Sequence, residues 1–346
     1  MAPEKVILGL DTFGDVPKNS DGQLMTYAQA LRQVVKEAVL ADKLGVDVIT
    51  LGEHHREEFA ISSPETVLAA IATQTKQITL GSGVTVLSSD DPVRVFERFS
   101  TLDAVSNGRA QIILGRGSFT ESFPLFGYDL GDYDALFEEK IAMFSKLLEE
   151  KPFDWQGEFT QSLKQADVFP KTESGHLDTW VGVGGSPESI VRAAHFGFPV
   201  ILAIIGGDPI RFKPYVELYE RAAKQFDMPT HPLGMHSHGF IADTQEAAVE
   251  MAWENIKLAF DKIGVTRGWA PMSREHFEHE IQSGSMYVGT PEVVAQRMAK
   301  AIKTLGVGRF DLVYGAGEQP AAARERMIEL YATKVIPRVR ESLAED

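Results

Sequence analysis

The chain places acid–base side chains immediately after a short apolar segment. Residues 48–51 are apolar or β-branched, and Glu53, His54, His55 and Arg56 follow them almost at once. A buried strand that ends in such a cluster delivers titratable groups to the edge of a sheet, where parallel α/β proteins bind ligands. Carboxylates and imidazoles can move protons, so the cluster predicts a reactive site. The alternative is an exposed strand end whose charges are only solvated.

Two glycine-containing segments predict a site for an anion. Residues 114–118 place Arg116 between two glycines, so the backbone can approach a ligand closely while the guanidinium grips an anion. Residues 183–188 open a helix whose free amide groups favour phosphate, and they contain Gly184, Gly185 and Ser186. Either segment alone is better explained as a tight turn or a capped helix. In adjacent loops of one barrel, the two together predict a phosphate site.

Alternating strands and helices must position these groups. Apolar runs predict the strands, and apolar residues at helical spacing predict the helices between them. The predicted strands are residues 6–10, 46–51, 78–87, 110–114, 180–183, 200–205, 235–242 and 310–313. The predicted helices are residues 25–44, 64–75, 92–106, 134–150, 187–196, 209–226, 245–260, 291–305 and 321–343. Short connections between them are typical of right-handed crossovers in a parallel sheet.

Eight such units predict an α/β protein with a (β/α)8 TIM barrel fold. No linker-like change in composition divides the chain, so a single domain over residues 1–346 is expected. An open doubly wound sheet is the alternative, because its alternation looks the same in sequence. Insertions are expected after strand four, before strand five and after strand seven. Residues 151–178 are predicted to include a short hairpin, and residues 263–287 to be irregular.

Composition limits the classes of partner and site. The chain has 346 residues, of which 44% are hydrophobic, so it can bury a large core. A net charge of -15 without any basic tract argues against a nucleic-acid partner. The absence of cysteine excludes disulfides, thiolate nucleophiles and cysteine-based metal sites, and it fits a reducing compartment. No apolar stretch reaches the roughly 18 residues of a membrane span, so a cytoplasmic protein is expected.

Several motifs in one order give the chain a resemblance to a known family. They are Glu53-His54-His55, Gly81-Ser82-Gly83-Val84, Ser106-Asn107-Gly108-Arg109, Gly115-Arg116-Gly117, Phe126-Gly127-Tyr128-Asp129 and Val288-Gly289-Thr290-Pro291-Glu292. With these motifs the chain resembles the bacterial luciferase-like flavin-dependent monooxygenases over essentially its whole length. The resemblance implies a (β/α)8 barrel that binds FMN, with the phosphate held near Arg116 and the turn at residues 184–186. It also implies a non-proline cis peptide beside the flavin, between Gly83 and Val84.

The same resemblance implies roles for the first cluster. His54 would face the reactive edge of the flavin with Glu53 as its neighbour, and an imidazole that titrates near neutral pH would give or take protons. The implied enzyme is an FMN-dependent monooxygenase or oxidoreductase in which reduced FMN, as a co-substrate, and molecular oxygen act on a small organic substrate. No Gly-x-Gly-x-x-Gly motif follows a strand, so a separate flavin reductase is expected. Gly115 stands where luciferase carries a reactive cysteine, which argues against light emission.

Two alternatives within the resemblance stay open. One is a deazaflavin-dependent oxidoreductase of the same fold, and the other is a non-catalytic flavin-binding relative.

Two further histidine pairs have simpler explanations. His236 and His238 lie at i and i+2 on a predicted strand and so share one face. A polar lining of the pocket is favoured for them over the ligand set of a metal-dependent hydrolase, since no other strand end supplies obvious metal ligands. His276 and His279 lie among glutamates and are expected on a solvated helix face.

The remaining expectations concern the lid, the substrate and the assembly. Residues 263–287 fall where family members carry a mobile flap and are expected to act as a lid. Phe13, Phe59, Ile204 and Met286 predict a partly apolar substrate pocket. The apolar stripes of the outer helices are expected to include a homodimer interface.

Overall fold

Runs of β-branched and aliphatic residues form a closed barrel of eight parallel strands in the structure, a computed structural model that describes residues 5–345. In chain order the strands are β1 (Ile7–Thr12), β2 (Val48–Leu51), β3 (Thr79–Val86), β4 (Ala110–Gly115), β5 (Phe153–Trp155), β6 (Leu163–Ala166), β7 (Asp178–Val183), β8 (Val200–Ala203), β9 (Gly234–Ile241), β10 (Tyr287–Gly289) and β11 (Arg309–Val313). The barrel runs β1-β2-β3-β4-β7-β8-β9-β11, and β11 pairs with β1 to close it. The predicted (β/α)8 TIM barrel is confirmed.

Helices surround the barrel. They are α1 (Tyr27–Lys43), α2 (Pro64–Ala72), α3 (Pro92–Ser106), α4 (Ser122–Phe126), α5 (Tyr133–Leu147), α6 (Pro187–His195), α7 (Lys213–Gln225), α8 (Gln245–Arg267), α9 (Arg274–Gln282), α10 (Pro291–Leu305), α11 (Ala321–Leu330) and α12 (Ile336–Ala344). Short 3-10 segments occur at Leu87–Ser89, Leu130–Asp132 and Pro209–Phe212, and a π-helical segment, Tyr331–Val335, joins α11 to α12. Among the described residues, no helix is both long enough and apolar enough to cross a membrane.

Helix ends follow the capping chemistry that the sequence offers. Thr26 accepts a hydrogen bond from the amide of Gln29, whose side chain in turn accepts from the Thr26 amide, so a capping box begins α1. Asp91 accepts from two amides of the first turn of α3 and precedes a proline at the first helical position. Asn107 ends α3 with a φ of 58°, the left-handed conformation that stops a helix.

The segment after β9 is more helical than predicted. The prediction that residues 263–287 are irregular is wrong, because α8 continues to Arg267 and α9 and β10 follow. Gly264 lies inside α8, and the helix stops at Gly268, which has a φ of 66°. His276 and His279 are exposed on α9, as expected.

The predicted hairpin within residues 151–178 is confirmed as the antiparallel pair of β5 and β6. Glu139 on α5 holds the loop between these strands, since its carboxylate accepts hydrogen bonds from the amides of Glu158, Phe159 and Thr160 at 2.8–3.1 Å. β10 is an addition to the prediction and pairs in parallel with the end of β9.

A buried ion pair crosses the interior of the barrel. Arg309 and Asp311, both on β11, are 0% and 1% exposed, and Nη2 of Arg309 lies 2.8 Å from the Asp311 carboxylate. Arg309 also donates to Gln111 at 2.5 Å and lies over the ring of Trp180 at 5.1 Å. Asp311 borders the cavity at one end of the barrel and Trp180 the cavity at the other, so this layer separates the two.

Candidate active site

The carboxyl ends of the barrel strands surround a cavity of about 470 Å³. Every barrel strand or the loop that follows it contributes to the wall, and α8 covers part of the opening. This is the end of a TIM barrel at which enzymes of this fold carry their active sites, and the volume lies within the roughly 300–1,000 Å³ of small-molecule sites. Predicted site residues that line it are Glu53, His54, Gly83, Val84, Arg116 and Gly184.

His54 lies in a box of aromatic rings at the end of β2. Its imidazole packs against Phe59 at a centroid distance of 4.4 Å and meets the edges of Phe13 and Phe119, each at 5.1 Å. Nδ1 of His54 is buried and has no hydrogen-bond partner in the structure. The ring is therefore held in place by packing.

The same surroundings keep the His54 ring uncharged. Burial, followed by the nearby charges of His55 and Arg56, lowers the pKa of His54 to about 3. The expectation that this imidazole titrates near neutral pH is therefore wrong. A neutral imidazole can still donate one hydrogen bond and accept another, so His54 can position a group or relay a proton at pH 7.

Glu53 fixes the geometry of the strand end. One carboxylate oxygen accepts a hydrogen bond from the Val86 amide at 2.8 Å, and the other lies 2.9 Å from Nε2 of His55. The first contact ties the end of β2 to the end of β3, and the second orients the His55 ring. Both oxygens are therefore engaged away from His54, in contacts that hold the strand end in place.

Glycines make room for Val84 at the floor of the cavity. The Gly83–Val84 peptide bond is cis, as the resemblance implied. A Cβ atom on Gly115 would lie 2.4 Å from Cγ2 of Val84, and one on Gly182 would lie 2.8 Å from Cγ1. The valine side chain packs with Ile113 and forms an apolar surface inside the barrel.

Arg116 lies at the rim close to the start of α6. Its Nη1 lies 2.6 Å from a carboxylate oxygen of Asp134, and 27% of the side chain is exposed. Glu188, in the first turn of α6, has its pKa lowered by its own amide, by Ser186 and, to a smaller extent, by the charge of Arg116. The charge of Arg116 therefore reaches the first turn of α6, and the phosphate site stays a prediction.

Of the turn at residues 184–186, one residue borders the cavity. Gly184 borders the cavity, and nothing lies within 4 Å of the position of an added Cβ atom. Gly185 has a φ of 113°, and its carbonyl accepts from the hydroxyl of Tyr215 at 2.7 Å. Ser186 caps α6 by accepting from the Ser189 amide at 3.3 Å. Gly185 and Ser186 thus shape the helix start just beyond the cavity wall.

A polar wall that sequence reasoning had only partly located faces this arrangement. His236 and His238 line the cavity together with Asp11, which lies at the end of β1. Nδ1 of His236 lies 3.0 Å from a carboxylate oxygen of Asp11. Burial lowers the pKa of His238 to about 4. An acid that ends an apolar strand, as Asp11 does, was the signal that could have singled it out.

The roof of the cavity comes from α8 and from the loop after β4. Arg267 donates to the carbonyl oxygen of Ser118 at 2.5 Å, and its guanidinium lies over the rings of Phe119 and Trp269 at 4.9 and 5.1 Å. Phe260 packs on Trp269 at 5.0 Å. The part of residues 263–287 nearest the cavity therefore covers it, which fits a lid.

The predicted apolar lining is partly correct. Phe13 and Met286 border the cavity, and Phe59 supports the His54 ring. Ile204 does not line it, because its side chain is fully buried in the core and the next residue, Ile205, borders the cavity instead.

The residues present suit a flavin phosphate. A partly exposed guanidinium beside a helix start can hold the phosphate, and the apolar surface of Val84 and Ile113 can contact the flat ring system. The imidazole of His54 borders the same cavity, and a neutral imidazole can donate or accept a hydrogen bond. Within residues 5–345, no three carboxylate or imidazole side chains are placed to hold a metal ion together.

Curated relatives align with most of the chain. An N-acetyl-S-alkylcysteine monooxygenase of Bacillus subtilis is 27% identical over 84% of this chain and 88% of its own length. The oxygenase component of a flavin-dependent trigonelline monooxygenase of Acinetobacter baylyi is 24% identical over 95% of both chains.

Solved structures share the fold. The monooxygenase RslO1 from Streptomyces bottropensis has a TM-score of 0.82 at 22% identity, covering 96% of this chain and 99% of its own. The oxygenating constituent of 3,6-diketocamphane monooxygenase from Pseudomonas putida, in complex with FMN, has a TM-score of 0.77 at 19% identity, covering 97% and 99%. A coenzyme F420-dependent tetrahydromethanopterin reductase from Methanopyrus kandleri reaches 0.72 at 20% identity, covering 97% and 100%.

The family model for luciferase-like monooxygenases matches residues 15–309, which span the barrel strands from β2 to β9 and most of the cavity wall. The chain therefore belongs to the luciferase-like monooxygenase family of flavin-dependent oxidoreductases.

Proposed function

We propose that the protein is an FMN-dependent monooxygenase that uses reduced FMN from a separate reductase and molecular oxygen to oxidise a small organic substrate. The observation that carries this proposal is the pairing, in one cavity, of Arg116 beside the start of α6 with the uncharged His54 ring. The first suits a phosphate, and the second suits a ring system with hydrogen-bonding edges. Reduced flavin, when bound, supplies the electrons and activates oxygen.

The chain's own residues bind and orient the cofactor, and they exclude water from it. Arg116 and the amides at the start of α6 hold the phosphate, and Val84 supports the ring system from the floor. His54 borders the cavity and, as a neutral imidazole, can donate or accept a hydrogen bond there and relay a proton during the reaction. The roof of Arg267 and Trp269 keeps bulk water out, which favours productive chemistry over loss of reactive oxygen species.

The test is a titration with the reduced cofactors under anaerobic conditions. We expect reduced FMN to bind and reduced deazaflavin to bind more weakly or not at all. Arg116→Ala should weaken FMN binding roughly 10- to 100-fold, because it removes charge-assisted hydrogen bonds of about 1.5–3 kcal/mol. Asp134→Asn is the matched control, since it frees the guanidinium and should leave FMN binding unchanged or tighter. Equal FMN affinity for Arg116→Ala and the wild type would refute the proposed anchor.

Turnover separates an enzyme from a flavin-binding relative without activity. With reduced FMN supplied by a generic reductase, we expect oxygen uptake that is coupled to product once a substrate is present. Peroxide release is measured and subtracted. NADH or NADPH alone should not reduce FMN rapidly in the presence of the protein, because the proposal assigns that step to a partner. The trigonelline enzyme's description as an oxygenase component supports this division.

Three further proposals accompany the function. The single domain over residues 1–346 is tested by limited proteolysis, and the homodimer by light scattering. The cytoplasmic location is tested by cell fractionation.

A further inference from the structure

Asp11 and His236 form a hydrogen-bonded pair on the cavity wall that the proposed flavin site does not use. Asp11 is 1% exposed at the end of β1, and one of its oxygens lies 3.0 Å from Nδ1 of His236 on β9. The His236 side chain remains 15% exposed, and it borders the cavity. The carboxylate is thus hidden behind the imidazole, and the imidazole meets the ligand space.

This arrangement sets the tautomer of His236. A carboxylate accepts hydrogen bonds, so the nitrogen beside it carries the proton, and Nε2 is left with its lone pair. The same carboxylate stabilises the imidazolium that forms when Nε2 takes up a proton. A buried carboxylate on one ring nitrogen and a cavity on the other is the geometry of a proton acceptor.

The charged and titratable groups around His236 support this role. Asp11 faces it from β1 and Asp311 from β11, where Asp311 is paired with Arg309. On its own strand the neighbour is His238, an uncharged ring because burial lowers its pKa. The β8 residue in register with His236 is Ala203, which carries no charge. The net charge of these neighbours is negative, since Asp11 adds to a paired Asp311 and Arg309.

The rest of the compartment favours an aromatic ligand. Phe13 stands between the two imidazoles, 5.1 Å from the ring of His54 and 6.2 Å from that of His236. Ile201 and Ala203 line the cavity beside His236. A flat ring can therefore pack against Phe13 and these aliphatic side chains while one polar substituent reaches His236.

We propose that the substrate is a hydroxyaromatic compound and that His236 accepts the proton of its phenolic hydroxyl. This proposal rests on the proposed function, since it names the substrate class for the same cavity. In the step, the O–H bond breaks, its electron pair stays on the phenolate oxygen, and the proton moves to Nε2. Asp11 is a positioning residue that stabilises the resulting imidazolium. Ionisation makes the ring richer in electrons, and this phenolate is the form that accepts an oxygen atom.

The test uses 4-nitrophenol, whose anion absorbs visible light and whose neutral form does not. Binding is measured without cofactor and with FMN, at a pH below the probe's own pKa, and total bound probe comes from equilibrium dialysis. We expect wild-type protein to raise the ratio of anion to neutral form by about tenfold, one pKa unit. His236→Gln should abolish this shift, and Asp11→Asn should reduce it while probe still binds. Asp11→Glu should restore part of it.

His276→Gln, an exposed histidine on α9, is the matched control and should behave as wild type. A bound probe that stays neutral in the wild type, or an anion signal that survives in His236→Gln, would overturn the proposal. An unchanged signal in Asp11→Asn would overturn the positioning role of Asp11. Reduced-FMN titrations on the same samples separate the two proposals. If FMN fails to bind while the probe still ionises, the flavin function is wrong and the proton-accepting pair stands.

Discussion

Replacement of His54 by glutamine should flatten the pH dependence of stability. Burial lowers the pKa of His54 to about 3 in the folded protein, whereas an unfolded histidine titrates at the ordinary value of 6.5. Below pH 6.5 the unfolded chain therefore binds a proton that the folded protein refuses, and stability is lost as the pH falls toward 3. Between pH 7 and pH 5 this linkage amounts to at most about 2 kcal/mol for one such group. Water in the open cavity reduces the loss.

The measurement is urea unfolding of wild type and His54→Gln at pH 7 and at pH 5. Wild type should lose more free energy of unfolding over this interval than the variant does, by up to about 2 kcal/mol. His276→Gln is the matched control. Because His276 is exposed, this variant should lose as much free energy of unfolding between pH 7 and pH 5 as the wild type does. If His54→Gln and wild type lose the same amount, His54 is not held neutral by burial. The proposed role as an uncharged hydrogen-bonding partner would then fail.

Two other substitutions probe the interior of the barrel. Gly115→Ala should destabilise the protein by about 1–3 kcal/mol, because the new Cβ would lie 2.4 Å from Val84. Gly184→Ala is the control and should cost little, since the space around this glycine is open. Equal unfolding midpoints for the two variants would contradict this account of the packing. Arg309→Met should cost roughly 3–5 kcal/mol, because it leaves the buried Asp311 carboxylate without its partner. A double variant that also carries Asp311→Leu should recover part of that loss in chemical unfolding, and a further loss would show that the ion pair is not the cause.

The sequence was sufficient for the barrel and for the strand ends that carry chemistry. Local periodicity and proline caps located every barrel strand, and α3 begins and ends at the predicted residues. The placement of His54 and Arg116 on one cavity followed from the closure of the sheet. The strands and helix caps depend on residues that are close in the chain, so a local pattern could predict them.

Partnerships between distant residues could not be predicted. Asp11 and His236 are 225 positions apart, and only the curvature of the barrel brings them to 3.0 Å. The charge state of His54 was missed for the same reason, since the rings that bury it include Phe13 and Phe119, from the loops after β1 and β4. The predicted helix ended at residue 260, whereas α8 continues to Arg267 and stops where Gly268 adopts a left-handed conformation.

The contact between Arg116 and Asp134 bears on how quickly such an enzyme could recycle its cofactor. A flavin that arrives reduced and leaves oxidised must exchange in every catalytic cycle. A phosphate contact that releases the flavin too slowly would therefore limit turnover. Asp134 lies 2.6 Å from the guanidinium and is 73% exposed. It can swing away when a phosphate enters and take the arginine back when the phosphate departs. The same carboxylate would thereby shorten the residence time of the oxidised flavin and allow the next reduced flavin to bind.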